Sequence, residues 1–238
     1  PHANVPLTPG ETLRIGQAAV RVAGRRPDIP LLWRVELGER DDLDLILRHG
    51  EPIRYSYVPE PMPLDDYQPV YASHPGSAES PSAGLPFTWQ LLRDLRAREV
   101  GLAELVLHTG LSSYQDDDFD AEHHLFEEWF ELGQEAAEAV NRAGRVVAVG
   151  TTVVRALETA AGDDGRVRAA RGWTRLAIGA ERRPRVVDAL LTGMHEPEAS
   201  HFDLLRGFLD ESLLAQAYRQ AIGAGYLWHE FGDAALVI

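Results

Sequence analysis

RVVAVGTTVVRALETAA, residues 145–161, reads as a strand, a tight turn and a helix in one unbroken unit. The run 145–149 is apolar without alternation, the pattern of a strand covered on both faces. Gly150-Thr151-Thr152 then breaks it, and 153–161 carries Val154 and Leu157 at helical spacing. A buried strand feeding a helix predicts an α/β domain. Thr152 is expected to cap the helix, leaving first-turn N–H groups for a carboxylate or a ribose; Arg155 adds a positive charge, and Glu158 follows about one turn later. A plain capped helix with a surface Arg–Glu pair would look the same.

Moving towards the N-terminus, 134–143 is a helix stopped by Gly144, 105–107 a short buried strand, and Thr88 caps a helix to about residue 98. Residues 53–71, rich in Pro and Tyr, read as an extended linker. The first fifty residues break into short strands at 13–15, 18–22 and 31–37, followed by a helix over 41–49 that Gly50 stops. Towards the C-terminus a strand is expected at 186–191, helices at 202–209 and 212–222, and a last strand at 234–238. The domain expectation is a small β module over 1–52 and an α/β domain over 53–238.

Composition removes several function classes. The chain has 238 residues and no Cys, so disulfides, thiolate zinc sites and cysteine nucleophiles fall away. All 23 basic residues are Arg, and without Lys no Schiff base to pyridoxal phosphate forms. No G-x-x-x-x-G-K-[ST] loop, G-x-S-x-G elbow or glycine-rich dinucleotide fingerprint occurs. No apolar run approaches the roughly 20 residues of a membrane helix, and the lack of an apolar leader favours the cytoplasm. Between Glu99 and Asn141 there are twelve acidic residues and no basic one, which accounts for −12 of the net charge of −14. Such a balance disfavours a polyanion unless Arg25, Arg26, Arg182, Arg183 and Arg185 gather on one face.

In α/β folds ligands collect beyond strand ends. Three such ends carry polar groups beside Gly: His108-Thr109-Gly110, Gly150-Thr151-Thr152, and Thr192-Gly193-Met194-His195. A fourth loop, residues 76–84, contains Ser82 and Gly84 and is built of small residues that let backbone approach a ligand. His195 and His201 are six residues apart with Pro197 between them, so no metal site is expected; acid–base or hydrogen-bonding work suits His195 and Glu196 better. Trp228-His229-Glu230-Phe231-Gly232-Asp233 places ionisable groups between aromatics, either as a structural network or as a site.

The segments IRYSYVPEPMPLDDYQPVYASHPGSAESPSAGLPFT, LVLHTG, RVVAVGTTVVRALETAA, VVDALLTGMHEP and FGDAALVI resemble, in order and spacing, the S-adenosylmethionine:tRNA ribosyltransferase-isomerase family of queuosine biosynthesis. That resemblance implies a large barrel-like α/β domain with part of a small β-barrel domain in residues 1–52, the N-terminal portion of the family's large domain being absent from this chain. It implies ribosyl transfer from S-adenosylmethionine to 7-aminomethyl-7-deazaguanine in the tRNA anticodon stem-loop, giving epoxyqueuosine, adenine and methionine. It implies His195, Glu196 and His108 as catalytic residues, and Ser82, Gly84, Thr109, Gly110, Gly150, Thr151, Thr152 and Arg155 around the co-substrate, with no metal. The sequence departs from the family at Pro86 and Phe126, where the family has His, in the loop from Gly110, and in TGMHEPEASHF. With the acidic window, these departures leave two alternatives open: a paralogue using S-adenosylmethionine on a small molecule, and an inactive binding protein.

Overall fold

The computed structural model describes residues 7–27, 32–38, 42–55, 57–110, 127–195 and 200–238. The chain divides into two compact units, Pro1–Glu51 and Pro52–Ile238. In the first, strands β1 (Thr12–Ile15), β2 (Ala18–Arg25) and β3 (Trp33–Glu36) pair antiparallel in that order. The period of two along β2 turns Ala18, Val20 and Val22 inward. Helix α1 (Asp42–His49) buries Leu45 against Ala18 and Val20.

The second unit is mixed α/β. Helix α2 (Trp89–Ala97) starts at Thr88, whose Oγ1 accepts the Leu91 N–H at 3.1 Å. Strands β4 (Val106–His108), β5 (Glu128–Leu132) and β7 (Ala170–Thr174) form an antiparallel sheet. Helix α3 (Gln134–Arg142) follows β5. Strand β6 (Val147–Val149) leads into helix α4 (Thr151–Ala160), and the chain returns to lay β8 (Ala189–Gly193) parallel to β6. After helices α5 (Ser200–Leu205) and α6 (Glu211–Gly223), β9 (Ala234–Val237) closes antiparallel on β8. The core gathers Val154, Ala156 and Leu157 of α4, Phe130 and Leu132 of β5, Leu190 of β8, Leu205 of α5 and Leu214 of α6. Each fully buried leucine contributes about 1.5–3 kcal/mol of transfer free energy.

Several expectations are corrected. Residues 53–71 are largely extended with one 3-10 turn at Leu64–Tyr67, but they are no free linker: Val58 and Tyr67 are buried, and Tyr67 packs edge-on against Phe231 at 4.8 Å. Helix α4 begins two residues earlier than the capping argument requires, at Thr151 rather than Val153. Gly150 is the residue before it, at φ 102°, and no side chain caps the helix. Left-handed backbone at that point suits glycine. The strand expected at 186–191 starts at Ala189, because the Val186 and Val187 N–H groups go to the Glu158 carboxylate rather than to a neighbouring strand.

Candidate active site

The strand ends singled out in the sequence meet around the small-residue loop 76–84. At one end of that loop, Ala78 N–H donates to Thr109 O at 2.9 Å, and Thr109 Oγ1 donates to Glu79 O at 3.0 Å. His108 stacks on Trp129 at 5.2 Å and lies so close to Gly76 that a Cβ there would overlap its ring. Gly110 closes the described part of this edge. At the other end, the 3-10 turn Ser82–Gly84 packs against the start of α4, with Ala83 facing Gly150. Gly84 is buried against Tyr71 and Pro69, and Ser82 Oγ lies 3.4 Å from His229 Nδ1.

His229 links this loop to the end of β8. Its N–H donates to Met194 O at 2.9 Å, and its side chain covers Gly193 so tightly that no larger residue fits there. The His195 ring lies 4.9 Å from that of His229 and 4.7 Å from that of His201. His195 is buried, its Nε2 is 2.9 Å from Thr192 Oγ1, and its Nδ1 has no hydrogen-bond partner among the described residues. Burial lowers all three imidazole pKa values, to about 4 for His201 and His229 and well below the usual value for His195, where the neighbouring imidazoles add to the effect. All three imidazoles are therefore neutral at neutral pH, each keeping one lone pair on the ring, with a basicity that burial reduces.

Beneath His229 lies a recess of about 20 Å³ lined by Ile53, Tyr55, Glu79, Ser80, Ser82, His229 and Glu230. Glu230 is buried, and among the described residues neither carboxylate oxygen has a hydrogen-bond partner of good geometry, the Tyr55 N–H and Tyr67 hydroxyl making only weak approaches to it. Its pKa is raised, first by burial and also by the Glu79 charge. Among the described residues, no cluster of three His, Asp or Glu side chains is arranged to hold a metal ion.

Of the residues expected at the site, Ser82, Gly84, Gly150, Thr151 and His195 converge here, with Thr152 in the first turn of α4; His108 and Thr109 stand at the far end of the shared loop. Glu196 lies outside the described residues. Arg155 is not the free first-turn cation the sequence suggested. It is buried, donates to Glu128 at 2.5 Å, and also reaches Leu176 O at 2.9 Å and Thr174 O at 3.4 Å. Nor does it pair with Glu158, whose Oε1 accepts the N–H groups of Arg185, Val186 and Val187. A larger but shallow depression of about 440 Å³ lies at that end of α4, between Glu158, Asp163, Arg175, Arg182 and Arg185. Sequence reasoning noted His229 and Glu230 without assigning them to the site; ionisable groups flanked by aromatics were the available signal.

A family model described as queuosine biosynthesis protein matches residues 3–237. Proteins named S-adenosylmethionine:tRNA ribosyltransferase-isomerase are similar along the chain. The one from Moorella thermoacetica is 36% identical over 245 residues, covering 100% of this chain and 72% of the relative. That from Nitrobacter winogradskyi is 40% identical over 186 residues, 76% of this chain and 52% of the relative. That from Thermus thermophilus is 43% identical over 194 residues, 79% and 56% respectively. The chain thus spans about half the length of several of the curated relatives it matches. The crystal structure of S-adenosylmethionine tRNA ribosyltransferase from Thermotoga maritima superposes with a TM-score of 0.52 at 31% identity, covering 66% of this chain and 51% of that one. On the extent of these matches and the agreement in fold, the chain belongs to the queuosine biosynthesis protein family.

Proposed function

We propose that this chain carries the catalytic centre of an S-adenosylmethionine:tRNA ribosyltransferase-isomerase. In that reaction the ribosyl moiety of S-adenosylmethionine passes to 7-aminomethyl-7-deazaguanine in the anticodon stem-loop of tRNA, giving epoxyqueuosine, adenine and methionine. What supports this reading most is the neutral histidine trio set between the Ser82 turn and the uncapped start of α4, in a chain of this family.

S-adenosylmethionine enters as a co-substrate whose sulfonium acidifies the adjacent C–H, so a positioned imidazole suffices as base. With Nε2–H donated to Thr192 Oγ1, His195 presents the Nδ1 lone pair in a fixed ring orientation. His108 and Glu196 complete the proposed acid–base set. The N–H groups of Thr151 and Thr152, beyond Gly150, suit the methionine carboxylate. Ser82, Gly84, Thr109 and Gly110 border the rest of the co-substrate. Arg155 acts from behind: held by Glu128, it fixes α4 against β5 and so positions the helix start. In the same reading residues 1–52 are part of a small β-barrel domain, residues 53–238 belong to a barrel-like α/β domain, and the protein works in the cytoplasm.

The test is incubation with S-adenosylmethionine, with and without tRNA carrying the aminomethyl precursor, followed by mass spectrometry. Equal release of adenine and methionine, with a matching mass gain on the RNA, is the expected result; no release with the precursor tRNA present would refute the assignment.

A further inference from the structure

The recess beneath His229 contains a carboxylate that the reaction described above leaves without a task. Glu230 is 5% exposed, and among the described residues neither oxygen has a hydrogen-bond partner of good geometry, the Tyr55 N–H and the Tyr67 hydroxyl making only weak approaches to the carboxylate. An ionised group buried in this way is unfavourable unless something completes its pairing. Glu79 stands on the same wall and its charge acts on Glu230, so the recess favours a cation. Ser80, Ser82 and the His229 and Tyr55 rings, whose centroids are 5.1 Å apart, complete the lining.

Size narrows the choice. About 20 Å³ is room for roughly one water molecule. A guanidinium is too broad for that space, and a sulfonium with three carbon substituents is too bulky and has no N–H to donate. A primary ammonium group is water-sized, carries a full positive charge and donates three hydrogen bonds.

We infer that Glu230, with Glu79 and Ser82 around it, forms a subsite for a primary ammonium group of a bound ligand. The choice of ligand rests on the proposed function, in which two partners carry such a group: the α-amino group of S-adenosylmethionine and the aminomethyl group of the acceptor base.

The first arm of the test does not depend on that function. Thermal unfolding of the chain is followed in methylammonium chloride and in tetramethylammonium chloride at equal ionic strength. Methylammonium should raise the Tm and the bulkier ion should not, and Glu230→Gln, which keeps the side chain's size, should abolish the difference. Equal shifts with both salts, or a difference that survives in Glu230→Gln, would overturn the subsite. The second arm titrates S-adenosylmethionine and free 7-aminomethyl-7-deazaguanine by calorimetry. Glu230→Gln should weaken one of them by about tenfold or more and leave the other nearly unchanged, which identifies the owner of the ammonium group; loss with neither would contradict the inference. A protein that discriminates the two salts yet releases no adenine keeps the subsite while losing the proposed reaction, so the two failures are told apart.

Discussion

The two ends of helix α4 bury polar groups in opposite ways. Near its C-terminal half, Glu158 turns inward and a single carboxylate oxygen accepts three backbone N–H groups at 2.7 to 3.1 Å. Midway, Arg155 and Glu128 pair in the interior. At the N-terminal end no side chain caps the helix, and among the described residues the surrounding elements give His195 Nδ1 no hydrogen-bond partner and the Glu230 oxygens none of good geometry. Satisfied burial fixes the position of α4 against β5 and β8. Unsatisfied burial lowers stability and is kept where a ligand completes the pairing. The larger depression, about 440 Å³, lies at the satisfied end.

Substitutions at the two ends should separate accordingly. Arg155→Met leaves the Glu128 carboxylate buried and alone, and is expected to lower stability by about 3–5 kcal/mol in urea unfolding. His195→Asn, at the unsatisfied end, should cost no more than about 1 kcal/mol, because only one neutral hydrogen bond is exchanged. Equal losses at the two positions would erase the distinction between the ends.

A smaller effect is expected from pH. His201 and His229 titrate at about 4 in the folded chain, chiefly through burial, against about 6.5 when unfolded. The unfolded state therefore binds more protons between those values. The stability these residues permit is fully present above about pH 6.5 and is lost as pH falls towards 4. Glu128 and Glu230, whose pKa values are raised by burial, work in the opposite sense, with their contribution lost as pH rises through the raised value. The comparison is thus between wild type and His201→Gln, which should flatten the loss between pH 6.5 and 4; identical profiles would show that His201 does not titrate in this way.

Legibility in the sequence followed the range of the interactions. The unit from β6 through α4 announces itself because an apolar run, a left-handed glycine and a helical repeat lie within seventeen residues. The α2 cap at Thr88 is equally local. Strand β5, in contrast, presents Glu128 where an apolar residue would have marked an inward position beside Phe130 and Leu132. That glutamate is inside only because Arg155, 27 residues later, meets it. Strand β7 has little apolar pattern at all, with Thr174 its buried member. At the site, the loop glycines and His195 could be found from strand ends. His229 could not be assigned to it, since its partner Ser82 is 147 residues away.

The most direct test of the functional assignment is adenine release by His195→Asn, assayed with S-adenosylmethionine and precursor tRNA beside the wild-type chain. Loss of release with a Tm close to wild type is the expected result, since Asn places an amide where Nδ1 stands and an amide has no basic lone pair. Undiminished release, or a collapse of stability in place of activity, would contradict the assignment and make His195 a structural residue.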